Sequence, residues 1–159
     1  MDIIYHPIGI IHSPFTNLED MPIQPTGERS APGHVEILPQ YIEGLKDLAG
    51  FSHVIFLYHL HQVKRVDLTV LPFLSDQTHG IFATRAPTRP NPIGLSVVKL
   101  VRIEGNILFV ENLDILDGTP LLDLKPYIPE FDRPVEFRTG WLQGVKGKVK
   151  TTRSDDRFV

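Results

Sequence analysis

Cysteine is absent from the 159 residues of the chain. Disulfide bonds and thiolate metal sites are therefore excluded, because both require a cysteine sulfur. Apolar runs are also short, well below the roughly 20 residues that a membrane-spanning helix needs. Residues 1–11 carry no basic stretch ahead of their apolar positions, so we expect no secretory signal and a cytoplasmic location.

Excess positive charge is missing as well. The chain has 16 Lys and Arg against 19 Asp and Glu, which gives a net charge of −3 and an isoelectric point near 6.1. A general grip on nucleic acid needs a broad basic surface, so only a local basic patch fits this composition. The Gly-rich dinucleotide fingerprint, the P-loop and the serine nucleophile elbow are also absent, which disfavours a doubly wound nucleotide-binding fold.

Short strand patterns separated by Gly and Pro turns fill most of the chain. One helix pattern runs from 39 to 50, and its apolar stripe at Tyr41, Leu45 and Leu48 predicts packing against a sheet. About nine short strands and one short helix predict a mainly β protein, a small single-sheet β-barrel. The predicted strands are 3–11, 34–39, 51–62, 66–73, 81–84, 95–103, 107–116, 119–129 and 135–142.

Two stretches lack a regular pattern. Residues 16–33 are polar and rich in Pro and Gly, and a connection of this length is either functional or disordered. Residues 144–159 form a polar tail that we expect to be loose. That leaves 1–143 as the predicted barrel domain.

The stretch from Gly80 to Ser96, GIFATRAPTRPNPIGLS, is the hardest to explain by packing alone. Each of its three prolines fixes its own φ and restricts the residue before it, so the loop has few soft torsions. A stiff loop loses little entropy when it meets a ligand. An ordinary proline-rich turn with solvated arginines is the alternative, and we favour a binding loop. Its polar side chains are Arg85, Thr88, Arg89 and Asn91.

A second polar cluster follows in the last third of the chain. Asp123, Lys125 and Tyr127 alternate along one predicted strand, so they share a face. Because the opposite face is rich in leucine, we expect the three polar side chains to line a mouth or cavity of the barrel.

The segment before that strand is polar too. Asn112 and Asp114 share a face of the preceding predicted strand. Asp117 stands before Gly118, and an Asp-Gly pair is a turn signal by itself, so turn chemistry and function are equally good interpretations of Asp117.

Three histidines mark the buried strand pattern of residues 51–62. His53, His59 and His61 share parity and therefore a face. Two histidines at i and i+2 can chelate a metal, but no carboxylate accompanies them and one strand cannot complete a coordination sphere. We favour hydrogen-bonded or ligand-facing histidines and predict no metal.

The long motifs of the chain, taken in order, resemble the TsaA-like family. They are IGIIHSPF, FSHVIFLYHLH, GIFATRAPTRPNPIGLS and LDILDGTPLLDLKPYIP, and the likeness runs from about Ile8 to Asp132. The resemblance implies a small single-sheet β-barrel that forms a homodimer, with S-adenosylmethionine bound near the subunit contact. It implies transfer of a methyl group to N6 of threonylcarbamoyladenosine, beside the anticodon of tRNA.

The resemblance also implies roles for individual residues. Arg85 would bind the methionine carboxylate, Asp114 its ammonium, and Leu95 and Leu113 would flank the adenine. Arg89 and Asn91 would contact the RNA. The full set of implied cofactor contacts is Pro25, Thr26, Gly27, His61, Gln62, Arg85, Leu95, Glu111, Asn112, Leu113 and Asp114.

The base for the acceptor nitrogen is less closely defined by the resemblance. Asp117, Lys125 and Tyr127 are the candidates. Three alternatives stay open: a methyltransferase for another RNA or a small molecule, a non-catalytic module that binds a nucleotide-like ligand, and a metal-dependent barrel enzyme.

Overall fold

The structure is a computed structural model that describes residues 1–22, 31–145 and 157. Its eight strands are β1 Gly9–His12, β2 Gly33–Ile37, β3 His53–His59, β4 Thr69–Val70, β5 His79–Gly80, β6 Ile93–Glu104, β7 Ile107–Glu111 and β8 Thr119–Pro126. Six of them close into an antiparallel barrel in the order β1-β2-β7-β6-β3-β8, and β4 pairs with β5 separately. The mainly β barrel is therefore confirmed, with fewer strands than predicted.

Alternation along the strands fills the barrel. In β3, Val54, Phe56 and Tyr58 are buried, whereas the residues between them are less buried. Such a period of two places every second side chain in the interior. The core is apolar and continuous around the barrel.

Because neighbouring strands are antiparallel, the strand ends lie at the two openings of the barrel, which we call its mouths. We define the upper mouth as the end where β1, β3 and β7 finish and β2, β6 and β8 begin. The lower mouth is the opposite end. The connection from β2 to β3 lies at the lower mouth, and the connections from β3 to β6 and from β7 to β8 begin and end at the upper mouth.

The predicted helix at 39–50 is two 3₁₀ helices, Pro39–Leu45 and Leu48–Gly50. Asp47, between them, has a left-handed backbone with φ 67°, which an α-helix cannot accommodate. Leu48 is buried in the core and Leu45 packs against it, so this connection closes the lower mouth. Tyr41 is exposed, and the apolar face is narrower than predicted.

Residues 60–92, which we call the outer lobe, leave the upper mouth after β3 and return to begin β6. Val70, Ile81 and Ala86 form a second small apolar cluster there. The outer lobe also contains β4, β5 and a 3₁₀ helix, Ile81–Ala83, where the sequence predicted a strand.

Several predicted strands are shorter or missing. The strand predicted at 3–11 begins only at Gly9, after Pro7, which has no N–H to donate. The strand predicted at 66–73 shrinks to the two residues of β4. Residues 135–142 contain no strand but the start of a 3₁₀ helix, Gly140–Gly144. Because β1 pairs with β8 and closes the barrel, the barrel leaves no edge with which residues 135–142 could pair.

A short α-helix, α1, spans Pro129–Asp132. No helix in the described part of the chain is long and apolar enough to cross a membrane. The tail predicted from 144 lies mostly outside the described residues.

Candidate functional site

Four segments with predicted cofactor residues meet at the upper mouth. His61 and Gln62 directly follow β3, Leu95 lies near the start of β6, and residues 111–114 end and follow β7. Arg85 belongs to the outer lobe, which lies between β3 and β6. The predicted contacts Pro25, Thr26 and Gly27 lie outside the described residues.

The centre of this mouth is a chain of three hydrogen-bonded side chains. Ser96 Oγ donates to Asp114 Oδ1 at 2.6 Å. Since the Ser96 proton is used there, the Tyr58 hydroxyl is the donor in its 3.0 Å bond with Ser96 Oγ. Tyr58 and Ser96 are buried and Asp114 is partly buried, so water does not compete freely for these bonds.

Burial changes the acidity of both ends of this chain. Desolvation raises the pKa of Asp114 to about 6, although the bond from Ser96 and the charge of Arg85 act in the opposite direction. Desolvation also raises the pKa of Tyr58, and the nearby Asp114 charge adds to it. Tyr58 therefore stays a neutral donor, while Asp114 is ionised at neutral pH but easily protonated.

Arg85 completes the electrostatics of the mouth. Its positive charge acts on both Asp114 and Tyr58. The guanidinium belongs to an exposed residue of the outer lobe, whereas the carboxylate is set into the barrel. A cation and an anion thus face the same mouth from two different parts of the fold.

Gly94 allows Tyr58 to reach Ser96. A Cβ on Gly94 would collide with the ring of Tyr58. The ring therefore lies directly on the β6 backbone, two residues before Ser96. Sequence reasoning missed Tyr58 and Ser96; the only signal was a hydroxyl at an inward position of each strand.

The residues after β7 turn inward abruptly. Asn112 has a left-handed backbone with φ 65°, and it directs Leu113 into the core, where it is 1% exposed. Gly33 makes room, because a Cβ there would collide with the Leu113 side chain. Leu113 was predicted to flank the adenine, but its side chain lies in the core. Asn112 and Asp114 were predicted to share a strand face, but both lie beyond the end of β7.

Two predicted cofactor residues lie on the outer face of the barrel. Leu95 is 46% exposed, on the opposite side of β6 from Ser96. Glu111 accepts a hydrogen bond from Lys99 Nζ at 2.9 Å in an exposed ion pair. A ligand that touches Asp114 and Leu95 together must bend around the rim.

Asp117 is held in place at the same mouth. Its Oδ1 accepts a hydrogen bond from the Ser13 N–H at 3.1 Å and lies 3.4 Å from His12 Nδ1. Nearby, Thr119 Oγ1 lies 3.3 Å from His61 Nδ1. Asp117 is exposed, so both the turn and a reactive role remain compatible with its position.

The proline-rich loop is stiffened by Arg89 as well as by its prolines. Arg89 Nη1 donates to the carbonyls of Ile81, Thr84 and Ala86 at 3.2, 2.9 and 3.4 Å. Thr88 was predicted to be among the presented polar groups, but it is fully buried, and its Oγ1 has no hydrogen-bond partner within the described ranges.

Lys125 and Tyr127 lie at the lower mouth, away from Asp117. At about 3.3 Å per residue, Lys125 is roughly 20 Å along β8 from Thr119. The Tyr127 N–H donates to the carbonyl of His53, at the start of β3. One protomer therefore does not bring the three predicted catalytic residues together.

The predicted inward row of Asp123, Lys125 and Tyr127 is wrong. The β3–β8 register shifts between Leu57 and Tyr58, which leaves an extra residue on β8. A shift of one residue turns every following side chain to the other face. Lys125 and Asp123 form an exposed ion pair at 2.6 Å on the outside.

The three histidines of the metal alternative also separate. His53 Nδ1 bonds to Ser52 Oγ at 2.9 Å at the lower mouth, whereas His61 is at the upper mouth. Within the described residues, no group of three or more His, Asp and Glu side chains is arranged to hold a metal ion.

Comparisons with known proteins identify the relatives of this chain. Residues 10–133 match the model of the tRNA-methyltransferase O N-terminal domain. A probable S-adenosyl-L-methionine-binding protein of Pyrococcus abyssi is 54% identical over 156 residues, covering 98% of this chain and 85% of that protein. A mouse tRNA (adenine(37)-N6)-methyltransferase is 34% identical over 140 residues, which are 84% of this chain and 32% of the mouse protein.

Solved structures show the same relationship. The crystal structure of TrmO from Pseudomonas aeruginosa has a TM-score of 0.74 and 39% identity to this chain, covering 89% of it. The match spans 63% of that TrmO chain, so this protein corresponds to less than two thirds of its length. The chain belongs to the tRNA-methyltransferase O N-terminal domain family.

Proposed function

We propose that this protein transfers a methyl group from S-adenosylmethionine to N6 of threonylcarbamoyladenosine, beside the anticodon of tRNA. The observation that carries the proposal is the presence, at one mouth, of the Asp114 carboxylate held by Ser96 and of Arg85, whose positive charge acts on that carboxylate. A methionine moiety has one carboxylate and one ammonium, so a site for it needs one cation and one anion. The names of the Pyrococcus and mouse relatives support the cofactor and the tRNA substrate.

The residues present fit this cofactor. The Arg85 guanidinium can bind a carboxylate with two parallel hydrogen bonds. Asp114 Oδ1 is occupied by Ser96, which leaves its second oxygen to accept from an ammonium. S-adenosylmethionine supplies a methyl group on a sulfonium, whose charge disappears on transfer. The protein's contribution on this side is therefore positioning rather than acid–base chemistry.

The acceptor nitrogen needs more help. It belongs to a urea-like group, which is a weak nucleophile until a base or hydrogen bonds increase its electron density. Asp117 remains the candidate base at the upper mouth, because His12 and Ser13 orient its carboxylate. Lys125 and Tyr127 can join it only from a second protomer.

A homodimer is part of the same proposal. Ile93 and Leu95 are 39% and 46% exposed on the outer face of β6, next to the upper mouth. Exposed apolar side chains clustered on one sheet face are typical of an interaction surface. A dimer through this face would place a partner beside Leu95 and the rim of the upper mouth.

Calorimetric titration with S-adenosylhomocysteine in EDTA is the first test. We expect binding of micromolar strength, about −8 kcal/mol. Mass spectrometry of threonylcarbamoyl-modified tRNA, incubated with the protein and S-adenosylmethionine, then tests the reaction through a gain of one methyl group. Binding without methylation of any RNA would favour a non-catalytic ligand-binding module, and loss of activity in EDTA would favour a metal enzyme.

A further inference from the structure

A cleft lies in the outer lobe, beside the upper mouth. Residues 63–66 form one wall and residues 89–92 the other, and the space between them is about 240 Å³. The Leu60 N–H donates to the Pro92 carbonyl at 2.8 Å, and the Asp67 N–H donates to the Thr88 carbonyl at 3.0 Å. These two bonds join the walls at both ends, so the shape of the cleft is fixed before a ligand arrives.

The lining is strongly basic for a chain with a net charge of −3. Lys64, Arg65 and Arg89 line the cleft. Among the described residues, Asp67 is the one carboxylate bonded to them, through Arg65 Nε at 2.9 Å. Lys64 is exposed and forms no ion pair within the described ranges. The cleft therefore keeps excess positive charge, which a bound anion would neutralise.

The size and shape of the cleft indicate which anion. Pockets that hold whole small molecules are typically about 300–1,000 Å³, and this cleft is smaller. Its prolines, Pro90 and Pro92, have no N–H to offer, and the positive groups surround an open groove. An open groove of this size suits one or two phosphates of a polymer, whose backbone can enter at one end and leave at the other. It is less suited to a complete nucleotide.

We propose that this cleft binds phosphodiester groups of the RNA substrate and orients the target nucleoside towards the upper mouth. The proposal rests on tRNA as the substrate class proposed above. Residues 63–66 follow His61 and Gln62 directly, and the opposite wall continues into Gly94 and Ser96. Phosphates held in the cleft would therefore lie on the outer lobe, beside the upper mouth that contains Asp114. Backbone contacts of this kind fix position and carry no base specificity.

The test measures tRNA binding and its salt dependence for the wild type, for two cleft variants and for one matched control variant. Lys64→Gln should weaken tRNA binding about threefold to tenfold near 0.1 M salt and reduce the slope against salt by about one. Lys64→Gln with Arg65→Gln should reduce both further. Lys46→Gln, the same charge change at the lower mouth, should bind like the wild type.

S-adenosylhomocysteine affinity, measured on the same proteins, shows that the fold and the cofactor site are intact. Wild-type affinity and slope in both cleft variants would overturn the proposal. If those variants also methylate tRNA as the wild type does, the cleft assignment is wrong but the proposed substrate still stands. If the wild type binds S-adenosylhomocysteine but neither binds nor methylates tRNA, both the cleft assignment and the proposed substrate fail.

Free phosphate is the other source of the same chemistry. Inorganic phosphate is therefore added to the wild-type complex at constant ionic strength. We expect no displacement of tRNA beyond that caused by an equal ionic strength of chloride. Displacement at micromolar phosphate would show a site for the free anion and would overturn the assignment to RNA.

Discussion

Ser96 Oγ lies 2.6 Å from Asp114 Oδ1 and donates a hydrogen bond to it. The bond joins β6 to the segment that crosses the upper mouth directly after β7, the strand that pairs with β6. It also fixes which oxygen of the carboxylate stays available. The same serine accepts from Tyr58, so three elements of the barrel determine the direction of one acidic group.

Asp114→Asn should stabilise the protein at high pH. The folded-state pKa of about 6 is above the usual value near 3.9. Folding therefore loses stability as the pH rises from about 4 to 6, because the carboxylate must ionise while partly buried. Asparagine keeps the acceptor for Ser96 and carries no charge. We expect a gain of about 2 kcal/mol at pH 8 and almost none at pH 4, measured by urea unfolding.

The matched variant for that series is Asp117→Asn, whose carboxylate is exposed. Because that side chain is exposed, the substitution should change the free energy of unfolding less than Asp114→Asn does at pH 8. The measured quantity is the difference in unfolding free energy between the wild type and Asp114→Asn. If this difference were the same at pH 8 and at pH 4, burial would not act on the Asp114 carboxylate.

Arg85→Ala should abolish measurable binding of S-adenosylhomocysteine and leave the fold intact. Loss of a charge-assisted, two-pronged carboxylate contact should weaken binding by at least about 100-fold, or roughly 3 kcal/mol. Calorimetry measures the affinity, and thermal unfolding checks the fold. Arg138→Ala, an exposed arginine beyond the barrel, is the control. Unchanged affinity in Arg85→Ala would refute the carboxylate assignment.

Gly94→Ala should destabilise the protein by about 1–3 kcal/mol, since overpacking a filled site forces side chains to move. The added methyl collides with the Tyr58 ring, which must shift and release Ser96. Gly44→Ala is the matched control, because nothing lies within 4 Å of its Cβ position. Denaturant midpoints compare the two. Equal effects of both substitutions would contradict the close contact between Tyr58 and Gly94.

Local patterns predicted the barrel but could not predict how its parts meet. The apolar run of residues 51–62 was enough to predict the buried strand that the structure shows as β3. The Tyr58–Ser96–Asp114 chain, in contrast, depends on the β3–β6 register and on the left-handed turn at Asn112. Neither can be predicted from the spacing of polar residues. A hydroxyl within an apolar strand pattern does not by itself indicate a functional residue.

The errors have equally specific causes. Lys125 faces outward because the leucines of β8 fill the barrel: Leu121 is in the core, Leu124 packs against it, and a bulge between them lets both face inward. The stretch 135–142 has the composition of a strand, but a strand also needs a partner edge, and the closed barrel offers none. Thr88 was predicted to be a presented hydroxyl because its burial within the outer lobe cannot be predicted from a loop sequence.

The predicted catalytic set requires two protomers, and hybrid dimers can test this. Asp117 is at the upper mouth and Tyr127 at the lower, so one active site can hold both only if one comes from the partner. Asp117→Ala and Tyr127→Phe, each inactive alone, should regain about a quarter of wild-type methylation after mixing and subunit exchange, since half the dimers are hybrids with one intact site each. Mixing either variant with itself is the control. Sedimentation analysis must show exchange, and a hybrid population without activity would rule out a site shared in this way.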